Sequence, residues 1–321
     1  VYKKMKNENS DIELLDPKEQ LVLYGYDEYF NNFANLFDSK KLPNSLLISG
    51  AKGIGKSTFI YHFINFLLSR NEKNKYSIEK KSIDENNISY KHLINGTHPN
   101  FFLVDKKVGE KEIKIEQIRN LLTFVNKTTL SNNLKLVLVD NVEDLNINAS
   151  NALLKALEEP KNDTFFFLIH NNAARLIKTI KSRCIEFKFF MTLEKNKSVF
   201  KKLVNQYKID VDTLNDRNNF LYDSPVNLIK HSFADNKDLL NIILNRINNF
   251  KTDKKSNELD FLLNLIEQYY NQLVTQNNGI LNLYFYNYRK ILKTFNDIKK
   301  YNLNEKSNLI NIKEILINEK K

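Results

Sequence analysis

The stretch Ser45-Leu-Leu-Ile-Ser-Gly-Ala-Lys-Gly-Ile-Gly-Lys-Ser57 joins an apolar run directly to a glycine-rich loop, and this junction indicates the fold class. The apolar run Ser45–Ser49 predicts a buried strand, and an apolar pattern with helical spacing follows through Ser57–Arg70. Between them, Gly50–Ser57 satisfies the G-x-x-x-x-G-K-[ST] pattern of phosphate-binding loops. The whole chain has seven glycines and three lie in this loop, so a chance match is a poor explanation.

The residue types in the loop suit a nucleoside triphosphate. Glycines let backbone N–H groups turn towards a phosphate, and the N-terminus of the following helix adds the positive end of its dipole. Lys56 would reach the β and γ phosphates, while the Ser57 hydroxyl would bind Mg²⁺. The predicted nucleotide-binding residues are Gly50, Gly53, Gly55, Lys56, Ser57, Thr58 and Asp140, with Ser57 and Asp140 as ligands of Mg²⁺ if nucleotide is bound.

Asp140 completes this set because it ends the apolar run Leu136–Val139, where a Mg²⁺-positioning carboxylate is expected. The next residue in ATPases of this architecture is usually Glu, which orients the attacking water. Here it is Asn141, which cannot act as a carboxylate base. Glu143 follows two residues later, and its distance from the strand end predicts a solvated surface role. The sequence therefore predicts ATP binding without efficient hydrolysis.

Strands and helices alternate through the first 190 residues. The apolar strands form runs instead of alternating with polar residues, which indicates a parallel sheet covered by helices on both faces. The predicted strands after Ser45–Ser49 are Phe101–Val104, Leu134–Asp140, Thr164–Ile169 and Ile185–Phe189. The predicted helices include Asp27–Ser39, Ile115–Val125, one that stops at Pro160, and Ala173–Ile180.

The pattern changes after Phe190. From Leu193 onward we find helical periodicity without a convincing strand, with helices predicted near 194–207, 225–232, 236–250, 257–274, 278–297 and 308–319. We predict three regions: a phosphate-loop core at 1–190, a small helical lid at 191–233 and a helical domain at 234–321. Within the core, the polar segment Asn71–Asn95 is predicted to be a variable, mobile excursion.

Composition limits the classes of function. The net charge of +11 permits work beside nucleic acid, but the lysines are scattered instead of clustered. A single cysteine, Cys184, excludes an internal disulfide framework and an all-cysteine zinc site. No apolar run is long enough to span a membrane, and Met5–Gln20 lacks the apolar centre of a signal peptide. A soluble cytoplasmic protein is expected.

Arg183 follows a short helix whose last turn also carries Lys178 and Lys181. One interpretation is a cation that complements the helix dipole. The other is an arginine finger that reaches the γ-phosphate held by a neighbouring subunit, an interaction worth roughly 10³–10⁵ in rate. Cys184 beside it is expected to be a small core residue. The paired Glu158-Glu159 at the end of the preceding helix indicate structural or interface contacts.

The chain resembles the delta-prime family of bacterial DNA polymerase III clamp-loader subunits, which belong to the AAA+ superfamily. The stretch Asn151-Ala-Leu-Leu-Lys-Ala-Leu-Glu-Glu-Pro160 is specific for the delta-prime and gamma/tau group. The resemblance runs through Leu42–Phe187, and its other motifs are Leu42-Pro43-Asn44, the phosphate loop, Gly96-Thr97-His98-Pro99 and Ser182-Arg183-Cys184.

The resemblance implies an AAA+ core, a helical lid and a helical collar that joins five subunits in a ring. It implies gamma/tau and delta subunits, the sliding clamp and primed DNA as partners. Arg183 would supply the arginine finger to an adjacent gamma/tau ATP site, so this chain would be a stationary partner and not a motor.

The chain departs from the family pattern at several positions, and Asn141 together with the altered sensor positions argues against a working ATPase and favours delta-prime over gamma/tau. Many relatives carry a four-cysteine zinc module after the second helix, where this chain has Asn71–Asn95. Asn227 stands where a sensor arginine is expected, and His170 and Asn171 occupy the position of a first sensor threonine. Two alternatives stay open. One is an active AAA+ ATPase, either a gamma/tau-type clamp-loader motor or another remodeller, supported by the intact loop and Asp140. The other is a sequence-specific DNA-binding protein, supported only by the charge.

Overall fold

The computed structural model describes residues 15–107, 109–110, 112–127, 134–161, 163–172, 176–207, 224–225, 239–248, 250, 257–276, 281–301 and 303–318. These fall into two compact units: the first holds the described residues up to 207 together with 224 and 225, and the second holds those from 239 onward. The predicted boundaries near 190 and 233 stay predictions. Most of the predicted lid, including Asn227 and all but the first residue of the helix near 225–232, lies outside the described residues.

A five-stranded parallel sheet forms the centre of the first unit, which confirms the predicted fold class. Its spatial order is β2-β3-β4-β1-β5. This order places β4 between β1 and β3, so the carboxyl ends of these three strands lie side by side. The strands are β1 (Ser45–Gly50), β2 (Phe101–Asp105), β3 (Lys135–Asp140), β4 (Thr164–Asn171) and β5 (Ile185–Lys188).

Helices cover both faces of the sheet, as the apolar strand runs predict. One face buries an aromatic cluster that includes Phe33, Phe63 and Phe167, and the other buries aliphatic residues such as Leu121 and Leu153. The helices of this unit are α1 (Asp27–Asp38), α2 (Lys56–Leu68), α3 (Ile88–Ile94), α4 (Ile115–Asn126), α5 (Ile147–Glu158), α6 (Lys178–Lys181) and α7 (Leu193–Tyr207).

Two local predictions differ from the structure. The helix expected over Ala173–Ile180 is the single turn α6, and residues 173–175 lie outside the described part. The excursion Asn71–Asn95 is a packed segment, because Tyr76 and Leu93 are buried in the aromatic core. The polar composition of the segment does not indicate this packing, because polar side chains such as Glu72 bond within the segment. The Glu72 carboxylate accepts the backbone N–H groups at the start of α3.

The second unit is helical in its described residues, as predicted. Its apolar core includes Ile243, Leu262, Ile291, Phe295 and Ile312, each at most 1% exposed. The core joins α8 (Leu239–Asn248), α9 (Asn257–Gln276), α10 (Leu281–Tyr301) and α11 (Glu305–Asn318). Across the described ranges of both units, we find no helix that is both long and apolar enough to cross a membrane.

Candidate functional site

The phosphate loop lies between β1 and α2, where the sequence places it. Gly53 and Gly55 have φ angles of +81° and +92°, in the left-handed region that glycine adopts at little cost. Gly50 is required for space, because a Cβ there would lie 2.5 Å from the Phe189 carbonyl oxygen and 2.9 Å from Ile54 Cδ1. All three predicted glycines are therefore required by the loop conformation.

Lys56 is the first residue of α2 and is only 4% exposed. Its Nζ atom donates to the carbonyl oxygens of Gly50 at 3.0 Å and Ala51 at 2.7 Å, and to Asn171 Oδ1 at 2.9 Å. These three bonds use all three donors of the ammonium group. Burial lowers the pKa of Lys56 to about 8, although the nearby carboxylates of Glu143 and Asp140 act in the opposite direction.

Asp140 ends β3 and meets the start of α2 through a hydrogen bond from the Ser57 side chain. Burial raises the pKa of Asp140 to about 6, while Ser57 and the Lys56 ammonium favour its charged form. A hydroxyl beside a carboxylate suits Mg²⁺, which prefers oxygen ligands and keeps several waters or phosphate oxygens. Ser57 and Asp140 thus fit the predicted ion, and Thr58 lies half-buried beside them in the first turn of α2.

Glu143 contradicts the surface role predicted for it. It lies in a 3-10 turn after β3, and its carboxylate accepts Asn171 Nδ2 at 2.6 Å and the Asn171 backbone N–H at 3.3 Å. Asn171 therefore bridges Glu143 and Lys56. The polar residue at the end of β4 is the one signal of this contact in the sequence, and the contact itself depends on β4 lying between β3 and β1.

Tyr26 is a further residue at the loop that no motif indicated. Its hydroxyl donates to the Ile54 carbonyl oxygen at 2.6 Å, and its ring contacts Phe59 and Phe189. Burial raises the pKa of Tyr26 well above its ordinary value, with a smaller contribution from Tyr29. The side chain ties the middle of the phosphate loop to the aromatic core.

Arg183 lies after α6, and its guanidinium contacts residues of its own chain. Nε donates to Glu158 Oε1 at 2.7 Å, Nη2 forms an ion pair with the same oxygen, and Nη1 donates to the Thr179 carbonyl oxygen at 3.0 Å. The Arg183 side chain is 31% exposed. Burial raises the pKa of the adjacent Cys184 thiol to about 12, which agrees with a packed and unreactive cysteine.

Metal-binding side chains do not cluster elsewhere in the described parts of the chain: no group of three or more His, Cys, Asp or Glu residues there could hold an ion. The buried His62 illustrates an internal role. Its ring lies 3.2 Å from the Tyr76 hydroxyl, and burial lowers its pKa to about 3.

Comparison with known proteins gives a family match over more than half of the chain. The model of the family described as DNA polymerase III, delta subunit, matches residues 25–192. The DNA polymerase III subunit delta' of Pseudomonas aeruginosa is 36% identical over 143 residues, covering 44% of this chain and 42% of that protein. The DNA polymerase III subunit gamma of Buchnera aphidicola subsp. Schizaphis graminum is 27% identical over 232 residues, covering 70% and 61%.

Among solved structures, a DNA polymerase III gamma subunit-related protein from Thermotoga maritima has a TM-score of 0.49 and 18% identity, covering 91% of this chain and 99% of that one. This chain spans less than two thirds of the length of the two curated relatives above. The family match covers the sheet, the phosphate loop and Arg183, and it confirms the resemblance seen in the sequence. The chain therefore belongs to the DNA polymerase III delta-subunit family, as a relative of the delta-prime subunits.

Proposed function

We propose that this chain is a clamp-loader subunit that helps to load the sliding clamp on primed DNA and supplies Arg183 to the ATP site of a neighbouring subunit. The observation that carries the proposal is Arg183 itself, a partly exposed guanidinium two residues after α6, within the region matched to the family. The neighbours would be gamma/tau and delta subunits in a hetero-pentamer. Its place of work would be the replisome, in the cytoplasm.

The chain's own nucleotide site supports a stationary role. Asn141 follows Asp140 where a water-orienting carboxylate is expected, and an amide is not a base at neutral pH. All three Lys56 donors are engaged within the loop region, so a phosphate has to displace the carbonyl oxygens or Asn171 to reach them. We propose that the site binds ATP and Mg²⁺ weakly and hydrolyses ATP poorly.

A second candidate, an active ATPase, has one observation in its favour. Glu143 supplies a carboxylate that is linked to Lys56 through Asn171, although it lies three residues beyond the end of β3. ATP turnover by the isolated chain separates the two candidates. Turnover at ordinary ATPase rates that is lost in Glu143→Gln would favour the second, whereas negligible turnover supports a stationary subunit.

The decisive experiment measures clamp- and DNA-stimulated ATP turnover by the loader reassembled from its cognate subunits, with wild-type chain or Arg183→Ala. We expect the turnover of the affected site to fall by roughly two or more orders of magnitude, the scale of an arginine finger. Lys181→Ala is the matched control, because it also removes a cation from the end of α6. Lys181 pairs with Glu186 and not with Glu158. Equal turnover for Arg183→Ala and Lys181→Ala would contradict the proposed function.

Lys56→Ala tests the stationary role in the same assembly. It removes the ammonium group that would meet the phosphates of a nucleotide bound to this chain. We expect loader turnover to stay near the wild-type value, while binding of a fluorescent ATP analogue to the isolated chain weakens. A loss of loader turnover comparable to that of Arg183→Ala would show that this chain's own site is needed.

A further inference from the structure

The Arg183 guanidinium is held on both of its edges. Nε and Nη2 contact Glu158 Oε1, and Nη1 contacts the Thr179 carbonyl oxygen at 3.0 Å and Ser182 Oγ at 3.3 Å. A guanidinium carries five N–H groups. Within the described part of the chain, these four contacts leave one N–H group, on Nη2, without an acceptor. The side chain is therefore fixed in one orientation and still has a donor to offer.

The packing of α5 against α6 sets the position of Glu158, whose carboxylate holds the Arg183 guanidinium. Leu157 at the end of α5 and Ile180 in α6 are buried in the same aliphatic core, at 3% and 0% exposure. Glu158 is the residue after Leu157 and the last residue of α5. A carboxylate at a helix C-terminus opposes the helix dipole, so helix stability does not explain a glutamate there, whereas the contact to Arg183 does.

We propose that Glu158 is a positioning residue for Arg183: it holds the guanidinium in the orientation that meets the phosphate in the neighbouring subunit. This inference rests on the proposed function, because it assumes that Arg183 acts in trans. A free arginine side chain has many rotamers. If one rotamer is fixed before assembly, its conformational entropy is not lost when the guanidinium binds the phosphate. The end of α5 at Leu157-Glu158 and the segment Ser182-Arg183-Cys184 after α6 then act together.

Glu158 and Arg183 are 46% and 31% exposed, and ion pairs this exposed contribute little to folding. Substitution of Glu158 should therefore leave the fold intact. Glu159 is the matched control, since it is the next residue, carries the same charge and is exposed at the same helix end. An effect that came only from removing a negative charge would appear equally in Glu159→Ala.

The test compares Glu158→Ala, Glu158→Gln and Glu159→Ala in the reassembled loader, measuring kcat and the KM for ATP. We expect Glu158→Ala to lower kcat about tenfold with little change in KM, because the finger is misoriented while ATP still binds. Glu158→Gln should stay within about twofold of wild type, because its amide oxygen still accepts the Arg183 Nε–H. Turnover of Glu158→Ala equal to or above that of Glu159→Ala would overturn the inference.

A second readout needs no partner. The Nε–H signal of Arg183 in ¹⁵N NMR of the isolated chain should be protected from exchange in wild type and Glu158→Gln, and should be lost in Glu158→Ala. A protected signal in Glu158→Ala would show that Glu158 does not hold the side chain.

The outcomes of the two ideas are distinguishable. If Arg183→Ala has no effect on the loader, the proposed function fails. If Arg183→Ala is severe and Glu158→Ala behaves as Glu159→Ala does, only the positioning role fails. In the double variant Glu158→Ala/Arg183→Ala, we expect no loss beyond that of Arg183→Ala, since both act through one guanidinium.

Discussion

Removing one hydroxyl, in Tyr26→Phe, should destabilise the first unit by loosening the phosphate loop. Tyr26 is 2% exposed and its hydroxyl donates to the Ile54 carbonyl oxygen at 2.6 Å. The ring contacts Phe59 and Phe189 with centroid separations of 5.8 Å and 5.3 Å. Phenylalanine keeps that ring in place, so the substitution isolates the hydrogen bond.

The expected magnitude follows from the burial of both partners. Losing the bond leaves the Ile54 carbonyl oxygen without the donor from Tyr26, and Ile54 is only 8% exposed to water. An unsatisfied buried polar group costs about 1–3 kcal/mol. For a unit of roughly 150–250 residues, each kcal/mol lowers the Tm by about 2–4 °C. We therefore expect a decrease in Tm of about 2–12 °C.

Tyr29→Phe is the matched control within the same aromatic cluster. Its hydroxyl donates to the Lys188 carbonyl oxygen at 3.2 Å in an exposed position, where water can replace it. We expect a change in the free energy of unfolding below about 0.5 kcal/mol for this control. Thermal and urea unfolding of wild type, Tyr26→Phe and Tyr29→Phe check the comparison. Equal destabilisation by the two substitutions would refute the reasoning.

The pH dependence gives an independent check on Tyr26. Because burial raises its pKa in the folded state, the unfolded tyrosine loses its proton first, at about pH 10. The wild type therefore loses stability from this group above about pH 10, and the phenylalanine variant does not. The destabilisation by Tyr26→Phe should shrink as the pH rises beyond that point.

Three further predictions concern other parts of the chain. Burial raises the pKa of Asp140 to about 6, so the contribution of Asp140 to the stability of the fold decreases as the pH rises from about 4 to 6. Asp140→Asn should therefore gain stability relative to wild type over that pH range, as measured by unfolding at several pH values. Glu72→Ala should lower the free energy of unfolding by about 1–2 kcal/mol, because the Glu72 carboxylate accepts the backbone N–H groups of Ile88 and Ser89 at 2.9 Å and 3.0 Å. A variant as stable as wild type in thermal unfolding would show that water satisfies these N–H groups equally well. Leu262 is 0% exposed, so Leu262→Ala should lower the free energy of unfolding by about 2–5 kcal/mol. Leu303 is 42% exposed, and Leu303→Ala should lower it by less than about 1 kcal/mol. Similar losses for the two variants would argue against a core centred on Leu262.

Much of the first unit is predictable from local sequence because its signals are strong and close together. The glycines of the loop mark the turn, and the apolar runs on either side are long enough to be buried. Each predicted strand overlaps an observed strand: one end coincides and the other differs by one or two residues. The packing of the polar segment after α2 is not predictable in this way, because its composition resembles a solvated loop, although Glu72 and Asn87 accept its backbone N–H groups.

Local sequence predicts the phosphate loop, the individual strands and the family motifs, since each depends on residues that are close together along the chain. Which distant side chains meet depends on the three-dimensional packing. The order β3-β4-β1 brings Glu143, Asn171 and Lys56 into one hydrogen-bonded chain, and the packing of α5 on α6 pairs Glu158 with Arg183. These contacts join residues separated by 25 to 115 positions, and spacing along a sequence carries no information about partners that only strand order and helix packing bring together.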